Sequence, residues 1–531
     1  MAKKKRPNKQ QQLTSNAVTW QMYACAMVAA VGILFAIREP STAKRTRSPA
    51  DYDELMSQCT LVMANSSILN SGWGMFSLVD LPYGSQVTHG DPIIQIPDLE
   101  STFAKDVSHF LHRYAWNAEM TGGLSEGKVV YSALPGTGSL ANGHPTLWNS
   151  APGRPQVDAG GLVRSQSPGA GSITHYHNFS FFVHRALKAG QEILVNYGSG
   201  WDNKISSEGD SVTSSEHQLR RDGLCLDHIR PGTSTIPHAG RGALATRSIK
   251  KGQIIAPVPL MPIMGRQVLK DRHGNNQLFV NYLFGHKNSS ILFFPYSPIV
   301  NLINHGDVPN AVLRWSNSTL HYGKHFLDLG LDALRTTDPS GLLLEIVALR
   351  EIAQGDEILL DYGKDWKNAW KSHVEKWNPP ESASSYIYPH TMDVAGSILR
   401  TKKELATNPY PPNIETYCYY RYSDNHGKTN PHWINKPGVL EIRNLRPCVV
   451  IARNDDTMEY YVQMFNRKSL VQNKDAETIP DSEVHLVSNV PRTAIRLADR
   501  TYSSDQHMRG AFRHEIAFPD SIFPMKWQDL S

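Results

Sequence analysis

The 531-residue sequence contains little cysteine, and no two of its cysteines are closely spaced. The five are Cys25, Cys59, Cys225, Cys418 and Cys448. Zinc sites and CxxC redox motifs use cysteines separated by only about two to four residues. The spacing therefore gives no sign of a zinc-binding or CxxC motif, and we expect no bound metal.

A net positive charge is also lacking outside the first fifty residues, although the whole chain has a net charge of +5. Nine of the 54 Lys and Arg residues lie in that segment, together with a single acidic residue, Glu39. The rest of the chain carries 45 basic and 48 acidic residues, a net charge of −3. Such a body gives no electrostatic reason to bind phosphate backbones, so we expect no nucleic-acid partner.

One apolar run, Ala17–Ile37, has 21 residues without charge, about the length with which a helix crosses a bilayer. Trp20 and Tyr23 lie near one end, where aromatic side chains favour the membrane interface. We expect a single-pass signal anchor at 17–37 between a basic tail, 1–16, and a stem, 38–58, with the body in the lumen of the secretory pathway. A cleaved signal peptide, or a buried or organelle-targeting segment of an intracellular protein, remains an alternative.

The chain also carries Asn-x-Ser/Thr sequons for N-glycosylation. They begin at Asn65, Asn178, Asn288 and Asn317. Several are expected by chance in an asparagine-rich chain, so they permit a luminal location without requiring it.

Three short motifs stand in a fixed order in the second half of the chain. They are Gly240-Arg241-Gly242, then Asn304-His305 with Pro309-Asn310, and finally Asp361-Tyr362. A lone Gly-x-Gly usually marks only a tight turn, so the three motifs are informative because they occur together and in this order. The set resembles the signature of SET-domain protein lysine methyltransferases. This resemblance implies a mainly β fold with short helices, of the SET β-clip type, over residues 223–366.

The resemblance also implies roles for individual residues. The cofactor S-adenosylmethionine would be bound by Gly240, Arg241, Gly242, Asn304 and His305. Tyr362 would be the catalytic tyrosine, and Tyr282, Phe294 and Tyr296 would line a channel for a lysine side chain of a protein substrate. The cofactor supplies an activated methyl group, so the protein has only to position and desolvate the reacting atoms.

Each of these residues also has a plainer interpretation. A tyrosine at a strand end is often a hydrogen-bonded corner, and core packing is the plainer role for at least two of Phe293, Phe294 and Tyr296. The chain lacks the cysteine clusters that flank many histone-directed SET domains, which favours a non-histone substrate. The alternative to an enzyme is a non-catalytic SET-like scaffold that binds a partner peptide.

The first half of the chain repeats the pattern. Tyr197 precedes Tyr362 by 165 residues, and Trp201 precedes Trp366 by the same number. We therefore expect a tandem SET-like module at 59–203. Its sequence has diverged, because Asn142-Gly143-His144 stands in place of the Asn-His pair. We interpret Gly143 as an inserted residue. We expect a degenerate structural copy, with a second methyltransferase centre as the alternative.

The remaining segments are assigned by their composition and by the spacing of their apolar residues. Residues 204–222 and 391–435 are interpreted as linkers, and 367–390 as a packing helix. Apolar residues at helical spacing, which are Trp366, Trp370, Val374 and Trp377, predict a face of that helix that packs into a core. Short alternating runs predict a small β-rich module at 436–531, a Tudor-like barrel being one form it would take.

Overall fold

The computed structural model describes most of the chain beyond residue 54. The described ranges are 55–96, 114–117, 131–153, 156–197, 213–266, 270–271, 274–394, 396–421, 431–440, 444–465, 484–500 and 503–530. The predicted anchor at 17–37 lies outside these ranges. Within them, no helix is both long and apolar enough to cross a membrane.

The described chain is mainly β with short helices, as the motifs predict. The helices are α1 Thr137–Leu140, α2 Glu216–Asp222, α3 Leu331–Thr336, α4 Lys364–Lys376, α5 Pro389–Met392 and α6 Lys402–Thr407. Helix α4 ends before Pro379 and Pro380, which cannot continue a helix. Helix α2 lies within the stretch interpreted as a linker, and Leu219 is its buried residue.

The N-terminal region, defined as residues 59–203, contains eleven described strands. They are β1 Leu61–Asn65, β2 Trp73–Ser77, β3 Ile94–Ile96, β4 Ala115–Asn117, β5 Tyr131–Ala133, β6 Asn142–Gly143, β7 Ser150–Pro152, β8 Gln156–Val157, β9 Tyr176–His177, β10 Phe181–Val183 and β11 Glu192–Val195. The largest sheet contains β1, β2, β11 and β6, and its outer strand beside β1 comes from the next region. Strands β11 and β6 pair in parallel.

The central region, defined as residues 223–366, contains ten described strands. They are β12 Leu224–Cys225, β13 Ile229–Thr233, β14 Arg241–Ala245, β15 Ile254–Ile263, β16 Phe284–Gly285, β17 Leu292–Pro295, β18 Asn304–His305, β19 Ala311–Trp315, β20 Leu343–Ala348 and β21 Leu359–Leu360. Strand β12 pairs with β1, so the two regions share a sheet. Strands β18 and β21 pair in parallel, in the manner of β6 and β11.

The C-terminal strands form a five-stranded antiparallel sheet in the order β25-β24-β23-β22-β26. They are β22 Ile414–Tyr419, β23 Leu445–Asn454, β24 Glu459–Phe465, β25 Val484–Pro491 and β26 Ile495–Asp499, followed by β27 Ile516–Ala517. The β-rich module was predicted at 436–531, and the observed sheet differs from these bounds on both the N-terminal and the C-terminal side. Strand β22 lies in the stretch interpreted as a linker, because it fills the place between β23 and β26.

Strand β27 does not belong to that sheet. It pairs in parallel with β16 and extends the six-stranded sheet of the central region, β19-β20-β15-β17-β16-β27. Phe518, Phe523 and Trp527 follow it and are buried in the central core. The segment after residue 503 therefore completes the central region, although it was predicted to be part of the β-rich module.

Two disulfides join cysteines that are distant in sequence. Cys59 pairs with Cys225 across 166 residues, beside the β1–β12 pairing, and Cys418 pairs with Cys448 between β22 and β23. Neither bridge is predicted by the sequence spacing. The first bridge ties the start of the N-terminal region to the start of the central region.

Candidate functional site

A cavity of about 130 Å³ lies beside the β18–β21 strand pair of the central region. Four of the predicted site residues line it, namely Tyr282, Asn304, His305 and Tyr362. The parallel pairing sets Asn304 beside Leu359 and His305 beside Leu360. It thus brings the Asn-His motif next to the strand that leads into Tyr362.

A buried carboxylate holds this strand pair to the preceding loop. Glu357 accepts hydrogen bonds from Ser234 Oγ at 2.7 Å and from the backbone N–H of Thr235 at 2.6 Å. Asn304 Nδ2 lies 3.0 Å from the same carboxylate. Burial alone raises the pKa of Glu357, but the hydrogen bonds from Thr235, Asn304 and Ser234 outweigh it and keep the pKa below the usual value.

The nitrogen and the oxygen of the Asn304 amide have different roles. Its nitrogen also lies 2.8 Å from the carbonyl oxygen of Arg241 and 3.0 Å from Ser234 Oγ, so all of its donor capacity goes to the protein. The bonds leave Oδ1 as the amide's acceptor. An amino group of a ligand is the kind of partner that this oxygen takes.

Asn310, from the Pro-Asn part of the motif, locks the returning strand. Its Nδ2 donates to the carbonyl oxygen of Glu357 at 2.7 Å, and its Oδ1 accepts from the N–H of Leu359 at 2.8 Å. Both of its polar atoms are therefore used to hold the backbone that carries Tyr362. Asn310 is a positioning residue for the strand and does not line the cavity.

Tyr362 is fixed at both its backbone and its side chain. Its hydroxyl donates to the carbonyl oxygen of Ile303, and its N–H donates to His305 Nδ1 at 3.1 Å. Burial raises the pKa of the Tyr362 phenol and lowers the pKa of His305. The phenol therefore stays protonated, and the neutral imidazole, which accepts at Nδ1, carries its hydrogen at Nε2.

Three buried polar atoms at the cavity have no hydrogen-bond partner among the described residues. They are Ser172 Oγ, Asn301 Oδ1 and His305 Nε2. The Nδ2 atom of Asn301 donates to the carbonyl oxygen of Pro295 at 2.7 Å, which fixes the amide orientation. A buried acceptor without a partner costs about 1–3 kcal/mol, and a ligand donor would remove that cost. Asn301 lies three residues before Asn304, and no role was predicted for it from the sequence.

An aromatic wall closes one side of the cavity. Trp366 and Trp370 of α4 stack at 6.0 Å, and Phe512 meets their rings edge-on at 5.3 and 5.1 Å. The periodicity predicted that the two tryptophans are core residues, whereas both line the cavity and α4 has no fully buried residue. Phe512 comes from a distant segment that no motif marks.

The Gly-Arg-Gly segment lies just outside the cavity lining. Gly240 has a φ of 73°, and a Cβ there would lie 2.8 Å from Ile173 Cδ1. A Cβ on Gly242 would lie 2.2 Å from the Glu357 carboxylate. Arg241 is buried and donates to the carbonyl oxygen of Thr174 at 2.9 Å and to Asp158. In this structure the segment makes room for Glu357 and docks the N-terminal region, and its cofactor contacts stay a prediction.

The three predicted channel residues lie in different places. Tyr282 lines the cavity, and its hydroxyl accepts from the N–H of Thr174 at 2.8 Å. Phe294 is fully buried against Phe279. Tyr296 lines a separate cavity in the N-terminal region. The structure therefore brings only Tyr282 of the three to the candidate site.

The N-terminal region repeats the hydrogen-bond arrangement of the candidate site. Glu192 accepts from Ser66 Oγ at 2.8 Å and from the N–H of Ser67 at 2.7 Å, and Asn142 Nδ2 lies 3.0 Å from it. The Tyr197 hydroxyl donates to the carbonyl oxygen of Ala141 at 2.6 Å. These contacts match those of Glu357, Asn304 and Tyr362 one for one.

The match corrects the interpretation of the drifted motif. Strand β6 places Asn142 beside Leu194 and Gly143 beside Val195, as β18 places Asn304 and His305 beside their partners. Gly143 therefore replaces the histidine and is not inserted. A Cβ at Gly143 would lie 2.2 Å from the Tyr197 ring, so the ring occupies the space that a histidine side chain would need.

Comparison with known protein families gives a match within the central region. Residues 240–363 match the family model of the SET domain. No curated protein matches the chain.

Solved structures match parts of the chain. A Plasmodium falciparum protein described as a histone methyltransferase is 25% identical, with a TM-score of 0.18, over 26% of this chain and 96% of that one. Polycomb repressive complex 2 of Chaetomium thermophilum is 17% identical, with a TM-score of 0.20, over 29% and 17% of the two chains. An autoinhibited ctPRC2 bound to S-adenosylmethionine is 18% identical, with a TM-score of 0.21, over 31% and 18%. This chain spans less than a fifth of the two polycomb chains.

Proposed function

We propose that the central region, whose residues 240–363 match the SET domain, is a protein lysine methyltransferase that uses S-adenosylmethionine. The observation that carries the proposal is the cavity that joins Asn304, His305 and Tyr362 to the unpartnered Oδ1 of Asn301. Among the described residues, the lining of this cavity brings together no group of three or more metal-binding side chains. It offers amide acceptors and aromatic faces, which suit an amino-bearing, partly aromatic cofactor.

The cofactor would supply a methyl group activated by a sulfonium. Asn301 and Asn304 would accept from its amino groups, and Trp366 would provide an apolar wall. A neutral substrate amine would take this methyl group as the carbon–sulfur bond breaks, and it would then lose one proton. Because burial raises the pKa values of both Tyr282 and Tyr362, these phenols stay protonated and orient the amine without taking its proton. The proton therefore leaves to water.

The test is transfer of a labelled methyl group from S-adenosylmethionine to proteins of a whole-cell lysate by the full chain. Tyr362→Phe removes the phenol oxygen at the cavity and should lower transfer about 100-fold, a typical cost of lost positioning. Tyr197→Phe removes the matching hydroxyl of the N-terminal region and should leave transfer within about twofold of the parent. Equal labelling by the parent and Tyr362→Phe would exclude this assignment.

A non-catalytic scaffold is the second candidate. It is favoured by the N-terminal region, which keeps the same hydrogen bonds without the histidine, so the network serves the fold whether or not a cofactor binds. Titration calorimetry with S-adenosylmethionine separates the two. Absence of both binding and transfer would leave the scaffold.

We also propose that the N-terminal region is a degenerate SET-like module in tandem with the central one. The matched carboxylate, asparagine and tyrosine contacts support a common origin of the two regions. We assign the chemistry to the central region because the N-terminal one has Gly143 at the place of His305. We propose that the protein substrate is not a histone, because the chain lacks the cysteine clusters that flank many histone-directed SET domains.

The proposed location is the lumen of the secretory pathway, with anchoring by residues 17–37. The two disulfides support it, since such bonds persist mainly in oxidising compartments. The sequon at Asn317 lies on an exposed side chain and is open to glycosylation.

A further inference from the structure

The N-terminal region contains a cavity of about 570 Å³, much larger than the one at the candidate site. Six aromatic rings line it, and we call this lining the aromatic chamber. They belong to Trp73, Tyr114, Trp116, Tyr197, Tyr296 and Tyr322. The first four come from the N-terminal region and the last two from the central region. The chamber opens to solvent at Tyr322, which is 44% exposed.

The two indoles present their ring faces to the chamber and not their polar atoms. Trp73 Nε1 donates to the carbonyl oxygen of Leu320 at 2.9 Å, and Trp116 Nε1 donates to that of Gly138 at 2.7 Å. These bonds satisfy the only donor of each indole. What the two side chains offer a ligand is therefore an electron-rich ring face.

Neighbouring rings of the chamber are inclined to one another and not parallel. Trp73 and Tyr322 are tilted by 48° at 5.0 Å, and Tyr114 and Tyr296 by 44° at 5.2 Å. A flat heterocycle such as a purine favours two parallel plates, whereas faces set at angles suit a compact rounded group. The geometry therefore selects against the adenine of a nucleotide cofactor.

The electrostatics of the chamber favour a cation, but not a strongly hydrated one. No charged side chain lines it among the described residues. Negative groups lie nearby: Glu192 is buried next to Tyr197, and the Asp338 carboxylate contributes, after burial, to the rise in the pKa of Tyr322 to about 12. The Tyr322 phenol thus stays neutral. A bare ammonium would lose its water without a direct carboxylate partner, whereas a methylated ammonium is weakly hydrated and binds ring faces.

We propose that the aromatic chamber binds the methylated ammonium head of a lysine side chain. It is a binding site and not a second centre of transfer, and it does not depend on catalysis by the central region. Its walls come from both regions, so an occupied chamber contacts each of them. Gly72 and Gly341 leave the space in which the Tyr322 ring lies, since a Cβ at these positions would lie 2.7 and 2.2 Å from that side chain.

The experiment uses the full chain and a Gly-Gly-Lys-Gly-Gly peptide in three forms. The lysine is unmodified, trimethylated, or replaced by its neutral carbon isostere, which ends in a tert-butyl group. We expect calorimetry to give at least about tenfold tighter binding of the trimethylated form than of either other form. Equal binding of the neutral isostere would reduce the site to a plain apolar cavity and overturn the proposal.

Variants of two rings test the location. Trp73→Ala and Tyr322→Ala should each weaken binding of the trimethylated peptide about tenfold, whereas Tyr322→Phe keeps the ring face and should stay within about threefold. Far-ultraviolet circular dichroism and the unfolding midpoint identify a variant that fails to fold. If an alanine variant fails to fold, the binding affinity of Tyr322→Phe decides whether the ring face carries the binding. Unchanged binding in folded Trp73→Ala and Tyr322→Ala, or no saturable binding by the parent, overturns the proposal.

Two further arms separate this site from the proposed enzyme. Tyr362→Phe should bind the trimethylated peptide as the parent does, even though it loses transfer. S-Adenosylmethionine, itself a methylated cation, should not displace the peptide; displacement that Trp73→Ala abolishes would instead assign the chamber to the cofactor. If the parent binds the trimethylated peptide but transfers no methyl group, only the proposed function is contradicted. If the parent transfers methyl groups but does not bind the trimethylated peptide, only this inference is contradicted.

Discussion

Asn304 and Glu357, 53 residues apart in sequence, meet where the Asn304 amide nitrogen lies 3.0 Å from the Glu357 carboxylate. The contact links the two halves of the predicted motif set. It occurs a second time, at the same distance, between Asn142 and Glu192. A carboxylate that collects donors from a loop and from a neighbouring strand is thus the feature that the two regions share.

The first prediction is that acid destabilises the fold partly through Glu357. Its pKa in the folded chain is lower than the ordinary value of 4.5, so its contribution to stability is present above that value and is lost as the pH falls through the folded-state pKa. The free energy of unfolding, measured in urea from about pH 7 to about pH 3, should fall less steeply in Glu357→Gln than in the parent. Glu351→Gln, at an exposed side chain, should follow the parent curve. Parallel curves for all three proteins would contradict this assignment.

The second prediction concerns the space that Gly242 leaves for that carboxylate. A Cβ at Gly242 would lie 2.2 Å from Glu357 Oε1, and a shift of that carboxylate breaks its hydrogen bonds with Ser234 and Thr235. Gly242→Ala should lower the free energy of unfolding by about 2–4 kcal/mol. Gly330→Ala, where a Cβ meets nothing within 4 Å and φ is −77°, should stay within about 0.5 kcal/mol. A similar loss in both variants would mean that the contact with Glu357 is not the cause.

The third prediction compares the two disulfides. Chain-entropy arguments give the Cys59–Cys225 bridge, which spans 166 residues, about 5 kcal/mol and the Cys418–Cys448 bridge, which spans 30, between 3 and 4. Replacement of both cysteines by serine should therefore lower the unfolding midpoint more for the first pair than for the second. Equal midpoints for the parent and the first double variant would contradict this order.

The fourth prediction tests the luminal location. In a secreting eukaryotic cell, the full chain should carry N-linked glycan at Asn317, whose side chain is exposed. Treatment with an endoglycosidase should increase its gel mobility, and Asn317→Gln should remove part of that shift. Asn178 is a matched internal comparison, because it is half-buried and its Nδ2 donates to Gln156 at 2.8 Å. No shift in any form would favour the intracellular alternative.

The sequence was sufficient to predict those parts of the site that lie within short motifs. Asn304, His305 and Tyr362 were predicted together and line one cavity, because parallel pairing of β18 with β21 joins two local patterns. The mainly β fold was predicted from the same motifs. Local patterns carry this information because each constrains its own backbone.

Features that depend on distant packing were not predictable in this way. Phe512 reaches the cavity from a segment about 150 residues after Tyr362, and no periodicity in its own surroundings indicates a site. Trp366 and Trp370 have the spacing of a core stripe, and spacing alone does not distinguish a core from a cavity wall. Tyr296, predicted for the substrate channel, lines the aromatic chamber because its partner Tyr114 belongs to the other region.

The pairing of β16 with β27 has a consequence for how the chain acquires its structure. Phe284 finds its partner Ile516 only about 230 residues later, after the whole five-stranded C-terminal sheet has been synthesised. Until then the edge at β16 is unpaired, and the place of Phe518 and Trp527 in the core is unfilled. Such late, long-range closure is slow, and it exposes a strand edge to other chains during synthesis. Maturation of the central region is thus timed by translation of the segment that follows it.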